Sequence, residues 1–159
     1  GLFYHGKGAT PAFDGWADDA TALTLVPLNM AEPVLVVRGS NAARGLGFSP
    51  HGAGRNVSRS AHIRALVEEH GADSRGLSPN NIAAILARET AGLDVRFFCG
   101  NADVSELPSA YKNAAAMRAQ IEHYGLAEIV DEVLPYGCIM AGDIGRDTPW
   151  RRRKAQRAG

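Results

Sequence analysis

The residues best suited to chemistry are His51 and its neighbours, in the run Pro50-His51-Gly52-Ala53-Gly54-Arg55. Successive backbone N–H groups in a glycine-rich turn can form a concavity that holds an anion. Arg55 adds a guanidinium fork suited to phosphate. A histidine facing a bound phosphate there can act as a general acid or base, as a metal ligand, or as a nucleophile that forms a phosphoramidate. The plainer alternative is a tight turn whose histidine caps a helix, because a short glycine-rich motif is weak by itself. Of the other histidines, His5 also sits beside a glycine-rich turn, whereas His62, His70 and His123 fall in helical segments. Zinc sites pair Cys and His at short spacings. Cys99 and Cys138 lie far apart in sequence with no histidine nearby, so no self-contained metal site is expected and no metal ligand is assigned in this segment. The helical histidines are then expected at the surface or the edge of the core.

These residues need elements to position them. Residues 1–33 are rich in Gly, Ala, Pro and Asp and read as loops around short extended pieces. Val34-Leu35-Val36-Val37 is a continuous, mostly β-branched run ending at Arg38-Gly39, and it reads as a buried strand. Residues 39–56 are glycine-rich again, as backbone approaching a ligand would be. Ser58 or Ser60 can cap a helix running to His70 and stopped by Gly71, with Ile63, Leu66, Val67 and His70 on one face. Ser78-Pro79 opens a second helix carrying Ile82, Ile85, Leu86 and Glu89, terminated by Gly92. Val95 to Cys99 reads as a strand. The spacing of Leu107, Ala110, Ala114, Met117, Ile121 and Tyr124 predicts a third helix ending at Gly125. A short helix is expected over residues 127–133, and a last strand over 136–140. Helices and strands mix without strict alternation, which makes the fold class α+β.

Composition sets the outer bounds. The chain has 159 residues, 45% hydrophobic and 21% charged, as in an ordinary soluble globular domain. That excludes collagen, a wholly disordered chain and a membrane bundle, and no run reaches the about 18 apolar residues of a spanning helix. Gly1-Leu2-Phe3-Tyr4 shows neither the basic start nor the cleavage region of a secretory signal, and Gly1 in place of Met suits a mature or truncated piece. Two cysteines make no disulfide framework, so a cytoplasmic, reducing setting is the default. The net charge of zero hides a basic end: Arg151, Arg152, Arg153, Lys154 and Arg157 lie in the last nine residues without an acid among them. Such a tail suits contact with a phosphate backbone, or is a solvated, frayed terminus. The division is therefore residues 1–147 as one domain portion and 148–159 as a basic tail.

Four blocks, in order, resemble the RtcB RNA ligases, which are GTP-dependent tRNA-splicing and RNA-repair enzymes. They are His5-Gly6-Lys7-Gly8-Ala9-Thr10-Pro11-Ala12; Pro27-Leu28-Asn29-Met30 leading into Val36-Val37-Arg38-Gly39; His51-Gly52-Ala53-Gly54-Arg55 with Ser58-Arg59; and Pro108-Ser109-Ala110-Tyr111-Lys112-Asn113 followed by Pro135-Tyr136-Gly137. The resemblance covers residues 5 to about 142 and is similar to the C-terminal segment of a divergent member, with helices packed on short strands.

The resemblance implies that His51 attacks the α-phosphate of GTP with Mn2+ assisting, and passes the guanylate to an RNA 3′-phosphate opened from a 2′,3′-cyclic phosphate. A 5′-hydroxyl then joins the activated end and GMP leaves. It implies that Gly52, Ala53 and Gly54 hold the nucleotide through the backbone, beside Arg55. It places Pro27, Leu28, Asn29 and Met30 along the nucleotide pocket and Tyr111 against the nucleotide. The family's metal ligands precede the first block, so the Mn2+ site is expected in an upstream part of the same polypeptide. A piece without it is expected to catalyse poorly alone and to expose the apolar face that meets the missing part. The implied partners are RNA, as tRNA halves or broken ends, and GTP; no membrane is implied.

There are departures from the family pattern. Leu28-Asn29 stand for Gly-Ser, Val34 for a serine and Met140 for a lysine that touches the nucleotide. Asn29 still donates and accepts hydrogen bonds, whereas Val34 and Met140 supply neither a hydroxyl nor an ammonium. Arg151 to Lys154 would be the source of a compensating charge. The competing readings are a non-catalytic RNA-binding module on the same scaffold, and a phosphohydrolase or other nucleotidyl transferase using His51.

Overall fold

The computed structural model describes residues 5–18, 20–39, 46–73 and 76–142 of the chain. The basic tail and its boundary at residue 148 lie outside the described residues, as does the interior of the glycine-rich run at 40–45. The fold is α+β, with three α-helices and three small sheets among the described residues. Strands β1 (Ala9–Pro11) and β4 (Phe48–Pro50) form an antiparallel pair. Strands β2 (Leu23–Pro27), β3 (Val34–Gly39) and β6 (Ala127–Val133) form an antiparallel sheet with β3 in the centre. Strands β5 (Asp94–Phe97) and β7 (Gly137–Met140) pair in parallel.

The helices begin where the caps dictate. In α1 (Arg59–His70) the Ser58 hydroxyl accepts from the Ala61 N–H, and Gly71 closes the helix. In α2 (Pro79–Glu89) Ser78 accepts from the Asn81 N–H ahead of Pro79. In α3 (Ala114–His123) Asn113 accepts from the Ala116 N–H at 2.9 Å. The third helix is thus shorter than its spacing predicts. Leu107 and Ala110 belong to two 3₁₀ turns, Val104–Glu106 and Pro108–Ala110, whose three-residue period mimics the start of an α-helix. The second helix also stops early, at a Thr90 cap rather than Gly92.

Residues 127–133 form strand β6, not the expected helix. Two β-branched residues, Ile129 and Val130, are adjacent here, and the register slips at this point: Val37 faces Ile129 while Val36 faces Asp131. The bulge breaks the two-residue alternation that marks a strand and leaves a spacing that imitates a helix. On α1 the buried residues are His62 and Leu66, while Ile63 is exposed, so the inward face is turned one residue from the expected one. His62 is accordingly buried, not at the surface or the core edge. Strand β5 ends at Phe97, and Phe98 points into solvent.

Two apolar cores result. Val26, Leu28, Leu35 and Val37 of the central sheet pack with Ala114, Met117 and Ile121 of α3. Met30, Leu66, Ile85 and Leu107 form the second, flanked by Val95, Cys138 and Met140 of the parallel pair. No helix among the described residues is long and apolar enough to cross a membrane.

Candidate active site

His51 follows β4 directly, and its backbone is held on both sides. The pairing of β1 with β4 brings the first sequence block alongside, and the His51 N–H donates to the Gly8 carbonyl at 3.1 Å. Two residues on, the Ala53 methyl is buried in the sheet core with Leu28 and Leu35. The turn between these anchors comes very close to β2. A Cβ on Gly52 would lie 2.8 Å from the Pro27 carbonyl oxygen, so only glycine fits without displacing backbone. Gly54 has φ +71°, the left-handed region that glycine adopts without strain.

The chain then runs antiparallel to the fourth block. Arg55 bridges Tyr111, the Lys112 N–H donates to the Gly54 carbonyl at 3.0 Å, and the Asn56 N–H donates to the Ala110 carbonyl at 3.0 Å. The Asn56 side-chain amide donates to the Tyr111 carbonyl at 2.9 Å. These bonds place the Tyr111 ring under the His51 turn.

A cavity of about 450 Å³ opens at this junction. Its wall brings together Pro27, Leu28, Asn29 and Met30 with His51, Gly52, Ala53, Gly54 and Tyr111, and adds Glu106, Cys138 and Met140. It lies at the seam of the two cores: Leu28 and Ala53 belong to one, Met30, Cys138 and Met140 to the other. Its size falls within the roughly 300–1,000 Å³ typical of small-molecule sites. The imidazole of His51 is exposed to it, and no described residue holds the ring by a hydrogen bond or ion pair. The ring is therefore accessible to an incoming electrophile. Asn29 is a turn-former as well as a wall residue, because its Oδ1 accepts from the N–H groups of Ala31 (2.9 Å) and Glu32 (3.1 Å). Its amide nitrogen is left for a ligand.

Arg55 is placed differently from the other expected residues. It is not on the cavity wall. Its Nη2 donates to the Ser105 carbonyl at 2.7 Å, its Nε to the Val57 carbonyl at 3.2 Å, and the guanidinium carbon lies 5.3 Å from the Tyr111 ring centroid. Its Nη1 is buried without a hydrogen bond, 3.5 Å from Glu106 Oε2. Val34 lies on an adjoining, more open cavity of about 560 Å³ with Asp94, Arg96 and Tyr136. That cavity shares Asn29, Met30 and Cys138 with the first but carries no histidine, so the chemistry assigns the site to the smaller one.

Glu106 is the residue that sequence reasoning missed. Its Oε1 accepts from Arg59 Nε and Nη2, both at 2.6 Å, and its Oε2 accepts from the Tyr111 hydroxyl. Burial pushes the Tyr111 phenol above its ordinary range; the Glu106 hydrogen bond and charge push the same way, partly offset by Arg55. The same carboxylate holds the Arg59 guanidinium further toward its charged form. Burial, with the nearby Asp94 charge, raises the Cys138 thiol. Cys99 and Cys138 are both free. Among the described residues, no group of three or more His, Cys, Asp or Glu side chains could hold a metal ion.

The chain matches the sequence model of the family described as "RtcB: tRNA-splicing ligase RtcB" over residues 1–141. A comparison with individually curated proteins gives no match.

Proposed function

The chain belongs to the RtcB family of tRNA-splicing RNA ligases, and from that premise we propose that His51 is the nucleophile of a GTP-dependent RNA ligase. It joins a 2′,3′-cyclic phosphate or 3′-phosphate end to a 5′-hydroxyl end. The observation that supports the reading is the cavity in which an exposed His51 stands on a tethered glycine turn, facing Pro27 to Met30 and Tyr111.

An imidazole nitrogen attacks the α-phosphorus of GTP, the bond to the β-phosphate oxygen breaks, and pyrophosphate leaves. An oxygen of the RNA 3′-phosphate then attacks the same phosphorus, the N–P bond breaks, and the imidazole is restored. The 5′-hydroxyl attacks the activated 3′-phosphate, loses its proton, and GMP departs. Where the end is cyclic, water first opens the 2′,3′-phosphate. Gly52 and Gly54 let the backbone approach the phosphates, and Tyr111 offers a ring face to the nucleoside.

The described residues do not fit a manganese ion. Its ligands belong to an upstream part of the polypeptide, and metal would supply charge neutralisation on the phosphates. The working setting is the cytoplasm, and the partners are GTP and broken RNA or tRNA halves. A non-catalytic RNA-binding module is the second reading. It draws on Cys138 and Met140, which line the cavity without strong hydrogen-bonding groups.

The test is ligation by the chain joined to its upstream part. An RNA with a 2′,3′-cyclic phosphate and one with a 5′-hydroxyl should be joined only with GTP and Mn2+, and not by His51→Ala. RNA binding without joined product, in folded and metal-loaded protein, would leave the binding module.

A further inference from the structure

We propose that Glu106 is a positioning residue for the chemistry at His51, acting through Tyr111 and the turn that begins at Arg55. The proposal rests on the reading of His51 as nucleophile and adds a residue to it.

The geometry is a single carboxylate that accepts hydrogen bonds from Arg59 and Tyr111 and pairs with the Arg55 guanidinium at 3.5 Å. Arg59 comes from the first turn of α1, Arg55 from the end of the His51 turn, and Tyr111 from the strand-like segment paired to that turn. The Glu106 side chain is only 15% exposed and lies on the cavity wall beside His51. Its backbone is fixed independently: the Glu106 N–H donates to the Asp103 carbonyl at 3.1 Å in a turn whose cap is the Asp103 carboxylate. The carboxylate is therefore a rigid post, and these three side chains are what it orients. Without it, the half-buried Arg55 guanidinium would lose its counter-charge, the exposed Arg59 its acceptor, and the phenol its acceptor. These losses would shift the Tyr111 ring and the Gly54–Asn56 pairing, and so the His51 turn itself.

The experiment uses the chain joined to its upstream part, in five forms: wild type, Glu106→Ala, Tyr111→Phe, the double variant, and Glu106→Gln to keep the side-chain volume. Circular dichroism establishes that each is folded. Two readouts follow. The first is the tyrosinate absorbance titration of Tyr111, taken as the difference from Tyr111→Phe. Glu106→Gln should move it downward, because the charge that disfavours the phenolate is gone. The second is the rate of protein labelling from α-labelled GTP with Mn2+. Glu106→Ala should lower the rate at saturating GTP by about 10–100-fold, the scale lost when a group that orients a reactive residue is removed. The half-saturating GTP concentration should stay roughly unchanged. The Tyr111→Phe loss should not multiply with it in the double variant.

An unmoved titration overturns the proposal. So does labelling of Glu106→Ala at the wild-type rate, or single losses that multiply. If folded, metal-loaded wild type takes no label, the His51 reading fails on its own account. The Tyr111 titration then decides the Glu106–Tyr111 contact by itself: Glu106→Gln must move it downward, or the proposal falls too.

Discussion

At His51 the decisive feature is how little room the backbone leaves. The Gly52→Ala methyl would meet the Pro27 carbonyl at 2.8 Å, so the turn must move off β2. We expect a cost of about 1–3 kcal/mol and loss of nucleotide binding, checked by thermal unfolding and by titration with nucleotide. Cys138 gives a probe of the same wall. Its thiol is raised by burial, so iodoacetamide should modify it slowly, and bound GTP should slow it further while leaving Cys99 unaffected; equal protection of both would contradict the cavity assignment. Tyr111 adds a pH signature. Its folded-state pKa is raised, so the stability it contributes is complete below the ordinary tyrosine range, near 10, and is lost as pH rises through the folded value. Tyr111→Phe should remove that alkaline loss in a pH series of unfolding midpoints. The glycine turn was singled out from its residue types, and the resemblance named Pro27 to Met30 and Tyr111, which line one cavity with it. Glu106 was not. Its partner Arg59 lies 47 positions away in sequence, and a lone Glu beside Pro108 carries no local signal.

Among the elements, several with a local start or stop were read correctly, whereas β6, which depends on its pairing with β3, was not. Ser58, Ser78-Pro79 and Gly71 mark helix ends by capping chemistry that acts within a few residues. The run Val34 to Val37 reads as a strand and lies on the central one, with Leu35 and Val37 buried. Strand β6 exists because β3 offers it a partner, and its bulge at Val130 hides the alternation. The start of α3 depends on Asn113, whose side chain accepts from Ala116 N–H. Asn113→Ala should therefore cost about 1 kcal/mol and lower the melting temperature by about 2–4 °C. An unchanged midpoint would mean that packing of Met117 and Ile121, not the cap, fixes this helix.

Across the whole molecule, two cores meet at the cavity, and the site depends on both staying in place. Leu35 is fully buried in the central strand, and Leu35→Ala should cost about 2–5 kcal/mol and weaken nucleotide binding with it. Large apolar side chains stand exposed near the parallel pair: Leu134 (70%), Tyr136 (90%), Ile139 (77%) and Phe98 (89%). Exposed apolar patches of this kind mark surfaces that meet a partner. The partner we propose is the upstream part of the polypeptide, the occupant that the resemblance implies for such a face. The chain alone should bind 8-anilinonaphthalene sulfonate, and the joined protein much less. The central claim is a covalent bond between His51 and the nucleotide. It is tested most directly by incubating the joined protein with α-labelled GTP and Mn2+ and measuring acid-labile label on the protein. Label is expected on the wild type and none on His51→Ala. Label that survives in the variant, or its absence from folded, metal-loaded wild type, would contradict a covalent His51–nucleotide bond.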